Sequence, residues 1–303
     1  MSAGKRLRQL IEQPGCLVTP GVYDALSAKI AEQVGFEALA ISGFAVEASL
    51  LGKPDVGLLT LSELVDQARR IVGAVDIPVT CDGETGFGGV HNIARLVREM
   101  EDCGIAAIQL EDQHGPKRCP ALDGRSVVTI EEQLARLGAA LAARRDPDFL
   151  VIARSDADVL GLDELILRCN RYMAAGADMA MPICFVVDGR PISDLSPDDQ
   201  MEVYARLARE IDGPVKGVLI PAGYTASNMA AIGYKVIGLT GGPIEAAVNA
   251  LHQSLTELRR SGTEATYRAA NPPEIAAPGG IMKLLGIDAL LDFEARFHGG
   301  SEE

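Results

Sequence analysis

The residues most able to do chemistry stand together at Thr80-Cys81-Asp82-Gly83-Glu84-Thr85-Gly86-Phe87-Gly88-Gly89. An apolar, strand-like run from Ile77 to Cys81 leads into two carboxylates one residue apart, and a glycine-rich turn follows. Carboxylates at i and i+2 at the end of a strand can converge on one hard cation. Glu111-Asp112 and Arg154-Ser155-Asp156 end two later strands in the same way, and Asp55 lies in the long segment after the second strand. Oxygen ligands without a convergent histidine cluster suit Mg²⁺ or Mn²⁺ and not zinc. Each acidic pair taken alone reads more readily as a turn or cap. Three acidic strand ends in consecutive units point to a metal site. Gly86-Phe87-Gly88-Gly89 reads as room for backbone beside a ligand.

A second chemical feature is the loop from Gln113 to Arg125, which contains Pro116-Lys117-Arg118-Cys119-Pro120-Ala121. Its length, polarity and glycines fit an active-site lid. Two cations beside Cys119 would depress its pKa and favour the thiolate. A mobile surface loop with an incidental cysteine accounts for the same residues.

These groups need a scaffold that presents strand ends side by side. Eight β-rich runs are legible: Cys16–Pro20, Ala38–Ser42, Pro78–Asp82, Ala106–Glu111, Phe149–Ser155, Met179–Cys184, Val215–Ile220 and Val236–Thr240. Several are near-continuous apolar runs, as in a parallel sheet buried on both faces. Amphipathic stretches separate them, among them Ala25–Val34, Leu61–Val72, Asn92–Cys103 and Ile130–Arg144, and Gly35, Gly104, Gly176 and Gly233 supply left-handed caps. Eight βα units predict an α/β fold, a (β/α)8 TIM barrel whose functional residues gather at the strand C-termini. A doubly wound open sheet is the alternative. The barrel domain is predicted over 1–260. An extension over 261–303 holds a Pro/Gly linker (Asn271-Pro272-Pro273, Gly279-Gly280) and an apolar helix from Ile281 to Phe293. A helix beyond such a linker can dock on a partner, which predicts a homo-oligomer.

Composition excludes some functions. The chain has 303 residues, 48% of them hydrophobic, and 28 basic against 42 acidic residues, net -14, so it lacks the basic footprint of a nucleic-acid binder. Six cysteines without C-x-x-C spacing argue against structural zinc and disulfides and for a reducing compartment. No apolar run is long enough to span a bilayer, and the first residues lack the apolar core of a signal peptide. A cytoplasmic protein is the expectation.

Together and in order, several motifs resemble the isocitrate lyase/phosphoenolpyruvate mutase superfamily. They are Pro20-Gly21-Val22-Tyr23-Asp24-Ala25, Ser42-Gly43, Gly52-Lys53-Pro54-Asp55, Asp82 to Gly88, Leu110-Glu111-Asp112-Gln113, Pro116 to Cys119 and Ala153-Arg154-Ser155-Asp156. The resemblance implies a barrel whose last helices are exchanged between subunits, as a dimer or a homotetramer. It implies Mg²⁺ on Asp82, with Glu84 and Glu111 acting directly or through water and Asp55 ordering the water shell; Mn²⁺ is an acceptable substitute. Ser42, Gly43 and Phe44 would hold a substrate carboxylate, and Arg154 would pair with its carboxylate/2-oxo end. Cys119 would be the acid/base on the lid, with Lys117 and Arg118 beside it. The Lys-Arg-Cys triplet favours the carbon–carbon lyase branch over the phosphonate branch.

Departures from the family pattern share a direction. Pro120-Ala121 replaces Gly-His, Glu84 replaces Asp, and Gln109 stands where His is common. Ile183, Val218 and Ile220 stand where lyases carry polar groups for a second carboxylate, and the Arg after the eighth strand falls near Ile244. The predicted substrate is therefore a small 2-hydroxy or 2-oxo diacid with an alkyl distal end, such as a substituted malate, and not isocitrate or methylisocitrate. Oxaloacetate decarboxylation or hydrolysis is the alternative, phosphonate mutase or hydrolase chemistry is third, and a non-catalytic oxo-acid-binding protein is the reading from another class.

Overall fold

The apolar strand-like runs close on one another in a computed structural model of the chain, which describes residues 1–272 and 280–298. A helix that the strand pattern did not reveal, α1 (Ala3–Glu12), comes first. There follow β1 (Leu17–Val22), α2 (Ala25–Val34), β2 (Leu39–Ile41), α3 (Gly43–Val46), α4 (Leu61–Val72), β3 (Val79–Asp82), α5 (Val90–Cys103), β4 (Ala107–Glu111), α6 (Ile130–Ala143), β5 (Leu150–Ser155), α7 (Leu162–Ala174) and β6 (Met179–Pro182). A hairpin of β7 (Val186–Val187) and β8 (Arg190–Pro191) precedes α8 (Pro197–Glu210), β9 (Val215–Gly217), α9 (Ala226–Ala231), β10 (Tyr234–Leu239) and α10 (Gly242–Ser261). The described chain ends with α11 (Ala265–Ala270), α12 (Gly280–Leu284) and α13 (Ile287–His298).

All eight expected strands form one closed parallel barrel, in the order β1-β10-β9-β6-β5-β4-β3-β2. This is the (β/α)8 architecture, and closure rules out the open doubly wound sheet. Two strands stop short of their apolar runs: β6 ends at Pro182, which has no N–H for a ladder, and β9 ends at Gly217. The apolar residues beyond them, Ile183 and Val218, belong to loops. The expected helix Ile281 to Phe293 is two helices, parted near Gly286 at φ 81. Pro273 and Gly279 of the expected linker lie outside the described residues.

Helix formation follows periodicity and caps. On α4, Leu61, Leu64, Val65, Ala68 and Ile71 are buried, the stripe a 3.6-residue repeat makes, and Thr60 with Glu63 forms a capping box. Gly35 and Gly104 end α2 and α5 in the left-handed conformation. Leu7 of α1 is 1% exposed and clusters with Ala38, Ala106, Leu150 and Met179, all at strand beginnings, so α1 closes the N-terminal mouth.

The chain divides into two compact units, Met1–Ile244 and Glu245–Glu303. The first holds the whole barrel, and the division falls within α10, before the 260/261 boundary predicted from the linker pattern. In the second, Glu257 accepts backbone N–H bonds from Thr266 (2.9 Å) and Tyr267, which sets the turn into α11. No helix among the described residues is long and apolar enough to cross a membrane.

Sheet register decides which strand ends meet. Asp82 pairs with Gln109, and Glu111 pairs with Arg154. The acidic ends of β3 and β4 and the arginine of β5 thus share the C-terminal mouth. Barrel closure between β1 and β10 depends on Gly21, where a Cβ would lie 2.4 Å from the Thr240 carbonyl oxygen. Backbone cannot yield there as a side chain can. Gly21→Ala is expected to cost about 2 kcal/mol or more in urea unfolding. Gly138→Ala, on an exposed turn of α6 with nothing within 4 Å, is expected to be neutral or stabilising.

Candidate active site

The turn after β3 is held by its own backbone. The Glu84 N–H donates to Asp82 Oδ1 at 3.0 Å, and Gly83 N–H to the Gln109 carbonyl at 2.8 Å. Glu111 N–H reaches the Glu84 carbonyl at 3.0 Å, which ties the turn to β4. Glu84 takes φ 54, a left-handed conformation that is uncommon outside glycine and often marks a working site. Gly86 and Gly88 make room for neighbouring side chains of the protein itself. A Cβ at Gly86 would meet Ile93 at 2.3 Å, and one at Gly88 would meet Asn92 at 2.6 Å. A Cβ at Gly89 would have nothing within 4 Å.

Four carboxylates collect here with two cations set between them. Lys117, 5% exposed, reaches down from the lid to Asp55 and to Glu84 Oε2, the latter at 2.5 Å. Arg154 Nη1 lies 2.9 Å from Glu111 Oε2 and 3.4 Å from Asp82 Oδ2. Its other nitrogens grip Asp156 at 2.8 and 3.1 Å. No three acidic, histidine or cysteine side chains among the described residues form a ready-made metal cage. Oε1 of Glu84 and Oε1 of Glu111 are buried without a partner, whereas each Oε2 is taken up by an ion pair, to Lys117 and to Arg154 respectively. Burial pushes Glu84 up to about 8 and Glu111 well above the usual carboxylate range. Burial also disfavours the Lys117 ammonium, but the fields of Glu84, Glu111, Asp55 and Asp82 outweigh it and keep the amine charged.

Gly43 faces this cluster. A Cβ there would sit 2.1 Å from Glu84 Oε1 and 3.4 Å from Asp82 Oδ2. The Ser42 hydroxyl accepts from Ala45 N–H at 3.3 Å and caps the short α3, with Phe44 half-buried beside it. Ile183 (1% exposed) and the partly buried Val218 share an apolar cluster with Phe185, and Ile244 is buried as well.

The lid is fastened at several points. Cys119 N–H donates to the Asp55 carbonyl at 3.0 Å. Gln113 clamps the Arg118 backbone from both sides, at 2.9 and 3.0 Å, and also reaches Asp156 at 3.1 Å. Arg118 itself points away from the carboxylates, to the Asp123 carbonyl at 2.7 Å in exposed surroundings. The Cys119 pKa is raised, chiefly by burial and further by Asp55, against smaller lowering by Lys117 and Arg154. The expectation that flanking cations favour the thiolate is thus corrected: one cation is spent on carboxylates and the other turns outward. The thiol keeps its proton at neutral pH.

The family model for phosphoenolpyruvate phosphomutase matches residues 7–259. The chain belongs to the isocitrate lyase/phosphoenolpyruvate mutase superfamily. It is 37% identical to a 2,3-dimethylmalate lyase of Eubacterium barkeri, over 88% of this chain and 89% of that one. An oxaloacetate acetylhydrolase solved with 3,3-difluorooxalacetate superposes with a TM-score of 0.85 at 30% identity, covering 100% and 99% of the two chains. A phosphonopyruvate hydrolase solved with oxalate and Mg²⁺ gives a TM-score of 0.82 at 30% identity over 98% and 99%. The chain is an enzyme of carbon–carbon lyase class.

Sequence reasoning missed several residues around this superfamily site. Glu47, fully buried, accepts the N–H groups of Val56 (3.3 Å) and Leu58 (3.1 Å) and so shapes the loop that carries Asp55. Asp112, legible as part of an acidic strand end, turns out to gather Ser155 Oγ (2.7 Å), Asp156 N–H (2.8 Å) and Tyr172 OH (2.9 Å). Arg125 grips Asp158 at 2.8 and 3.0 Å. Glu47 stands in an apolar helical run that gives no hint of its partners. Arg125 and Asp158 lie on different βα units, so only folding pairs them.

Lys216 was missed as well. It is 1% exposed on β9, and its Nζ donates to Gln109 Oε1 at 2.7 Å. Burial pushes its pKa down from 10.5 to about 8, against an upward pull from Asp82. A folded-state value below the unfolded one means that the unfolded chain binds the proton more tightly. The cost to stability is complete below pH 8 and is relieved as pH rises toward 10.5. Lys216→Met is expected to raise unfolding free energy at pH 7 by up to about 3 kcal/mol. The wild-type-minus-variant difference should shrink between pH 8 and 10.5 in urea titrations of the metal-free proteins.

Proposed function

We propose that this enzyme is a Mg²⁺-dependent lyase that cleaves a small 2-hydroxy or 2-oxo diacid, of the substituted-malate type, and releases a 2-oxo acid. The observation that carries this reading is the pair of buried carboxylate oxygens, Oε1 of Glu84 and Oε1 of Glu111, left without partners beside Asp82 and beneath a fastened cysteine lid. Orphaned, buried carboxylates carry a cost that a hard cation removes. Mg²⁺ keeps several waters and needs only one or two protein carboxylates, and the carboxylate ends of β3 and β4 supply that many. Asp82 would hold the ion most directly, Glu84 and Glu111 directly or through water, and Asp55 would order the water shell; Mn²⁺ has the same ligand preference. Bound there, the ion supplies Lewis-acid stabilisation of enolate charge.

The protein groups supply the rest. Arg154, held on Asp156, presents its Nη1 toward the substrate's carboxylate/2-oxo end. Backbone at Gly43 and Phe44 and the Ser42 hydroxyl would receive a carboxylate oxygen. Lys117 closes the lid over the reacting end and excludes water. As the C2–C3 bond of a substituted malate breaks, the hydroxyl proton leaves O2, and C3 takes the electron pair as a carboxylate enolate. The Cys119 thiol delivers its proton to C3, and the hydroxyl proton restores the thiol, so the cycle is redox-neutral. Arg118 enters this scheme only through its backbone.

Ile183 and Val218 would line the distal end of the substrate. Burying a second remote carboxylate against them would cost several kcal/mol, whereas an alkyl group is stabilised there. The likeness to an oxaloacetate acetylhydrolase favours one further reading, cleavage or decarboxylation of oxaloacetate. A panel of 2-hydroxy and 2-oxo diacids with Mg²⁺, scored for 2-oxo acid and for CO₂, is expected to show 2-oxo acid from alkyl-substituted malates. Methylisocitrate as the best substrate would refute the apolar-wall argument. Cys119→Ser should lower kcat by about 100-fold or more if the thiol is the acid; a loss of only a few-fold with CO₂ release would favour decarboxylation.

Assembly as a homo-oligomer, dimer or tetramer, is part of the same reading. Val248, Leu251, Leu255 and Leu258 form an exposed apolar stripe along α10, and Leu290, Phe293 and Phe297 are exposed on α13. Such patches mark association surfaces. Light scattering on the eluted protein should give a mass that is a multiple of 32.0 kDa, and removal of residues 280–303 should lower it; a monomer would refute the assembly.

A further inference from the structure

One buried cation stands outside the ring of ion pairs. Lys117, Arg125, Arg154 and Arg168 each pair with a carboxylate, whereas Lys216 makes no ion pair among the described residues. Its side chain leaves β9 and passes Gly238 of β10, where a Cβ would lie 3.0 Å from Cε and 3.5 Å from Nζ. Glycine at 238 leaves that path unobstructed. Thr19 of β1 borders the same space, and Gln109 of β4 receives the ammonium at 2.7 Å. Gln109 sits level with Asp82 in the sheet register and two residues before Glu111, so both side chains of β4 face the same side of the sheet. Lys216 therefore crosses the barrel below the carboxylates, and Asp82 and Arg154 are the charged groups whose fields reach it.

An unpaired buried ammonium is costly, and a methionine would fill the same volume without that cost. Its charge has a use if the site must accept an anion. The acidic cluster above it, only partly neutralised by Lys117 and Arg154, disfavours a dianionic substrate, and a fixed positive charge beneath Asp82 offsets that repulsion. The same charge opposes a divalent cation that arrives alone. We propose that Lys216, held by Gln109, is a positioning residue whose charge favours the anionic substrate over the bare divalent cation. This rests on the metal-site reading above.

The test measures Mn²⁺ affinity, and oxalate affinity at saturating Mn²⁺, by titration calorimetry at pH 7. Lys216→Met and Lys216→Gln remove the charge, and the glutamine keeps a hydrogen-bonding group toward Gln109. Both are expected to bind Mn²⁺ alone about tenfold more tightly and oxalate about tenfold more weakly than wild type. Lys216→Arg, which keeps the charge, should stay within about threefold on both. A purely structural role would track shape, so an arginine variant shifted as far as methionine overturns the proposal. Methionine and glutamine variants that fold by circular dichroism and match wild type within about twofold also overturn it. Wild type that binds no Mn²⁺ overturns the metal reading and this proposal together, whereas wild type that binds beside unaffected variants overturns only the role of Lys216.

Discussion

The structure turns on the cost of burying Asp55, Asp82, Glu84 and Glu111 at one mouth of an apolar barrel. Like charges in a medium of low effective permittivity cannot be gathered without counter-charge. Lys117 and Arg154 supply part of it, each placed between two carboxylates. The remainder appears as carboxyl groups held above their ordinary pKa and as oxygens without partners. That imbalance is what a hard cation and an anionic ligand would together resolve.

Positioning follows from the same constraint. Arg154 can serve two carboxylates only because Asp156 holds its far edge, and Asp156 is held in turn by Asp112 and by Gln113. Gln113 also clamps the backbone of Arg118, so lid and guanidinium share one anchor. The lid residue with the most consequence for its own placement is Lys117, whose ammonium binds carboxylates on two different loops. Cys119 is left as a protonated thiol beside Asp55, in the state a general acid requires.

Much of this was legible beforehand. Continuous apolar runs such as Leu150–Ala153 reveal a parallel barrel because burial on both faces removes alternation. Asp82, Glu84, Glu111 and Arg154 were legible because strand ends of a barrel face one mouth. The helix α1 was not, since it belongs to no βα unit and is explained only by the strand beginnings that Leu7 covers. The ends of β6 and β9 were overextended because Ile183 and Val218 are as apolar as strand residues; their burial in a loop cluster is a tertiary matter.

The sequence by itself determined the βα repeat, the acidic strand ends and the cysteine-bearing loop, because periodicity and residue type are local properties. Only the tertiary structure decided which charges neutralise which. It turned Lys117 inward and Arg118 outward, raised the Cys119 pKa where flanking cations argued for lowering it, and laid Lys216 across to Gln109 on a distant strand. Electrostatic energy depends on distance through space and on burial, and neither is written in the spacing of residues along a chain.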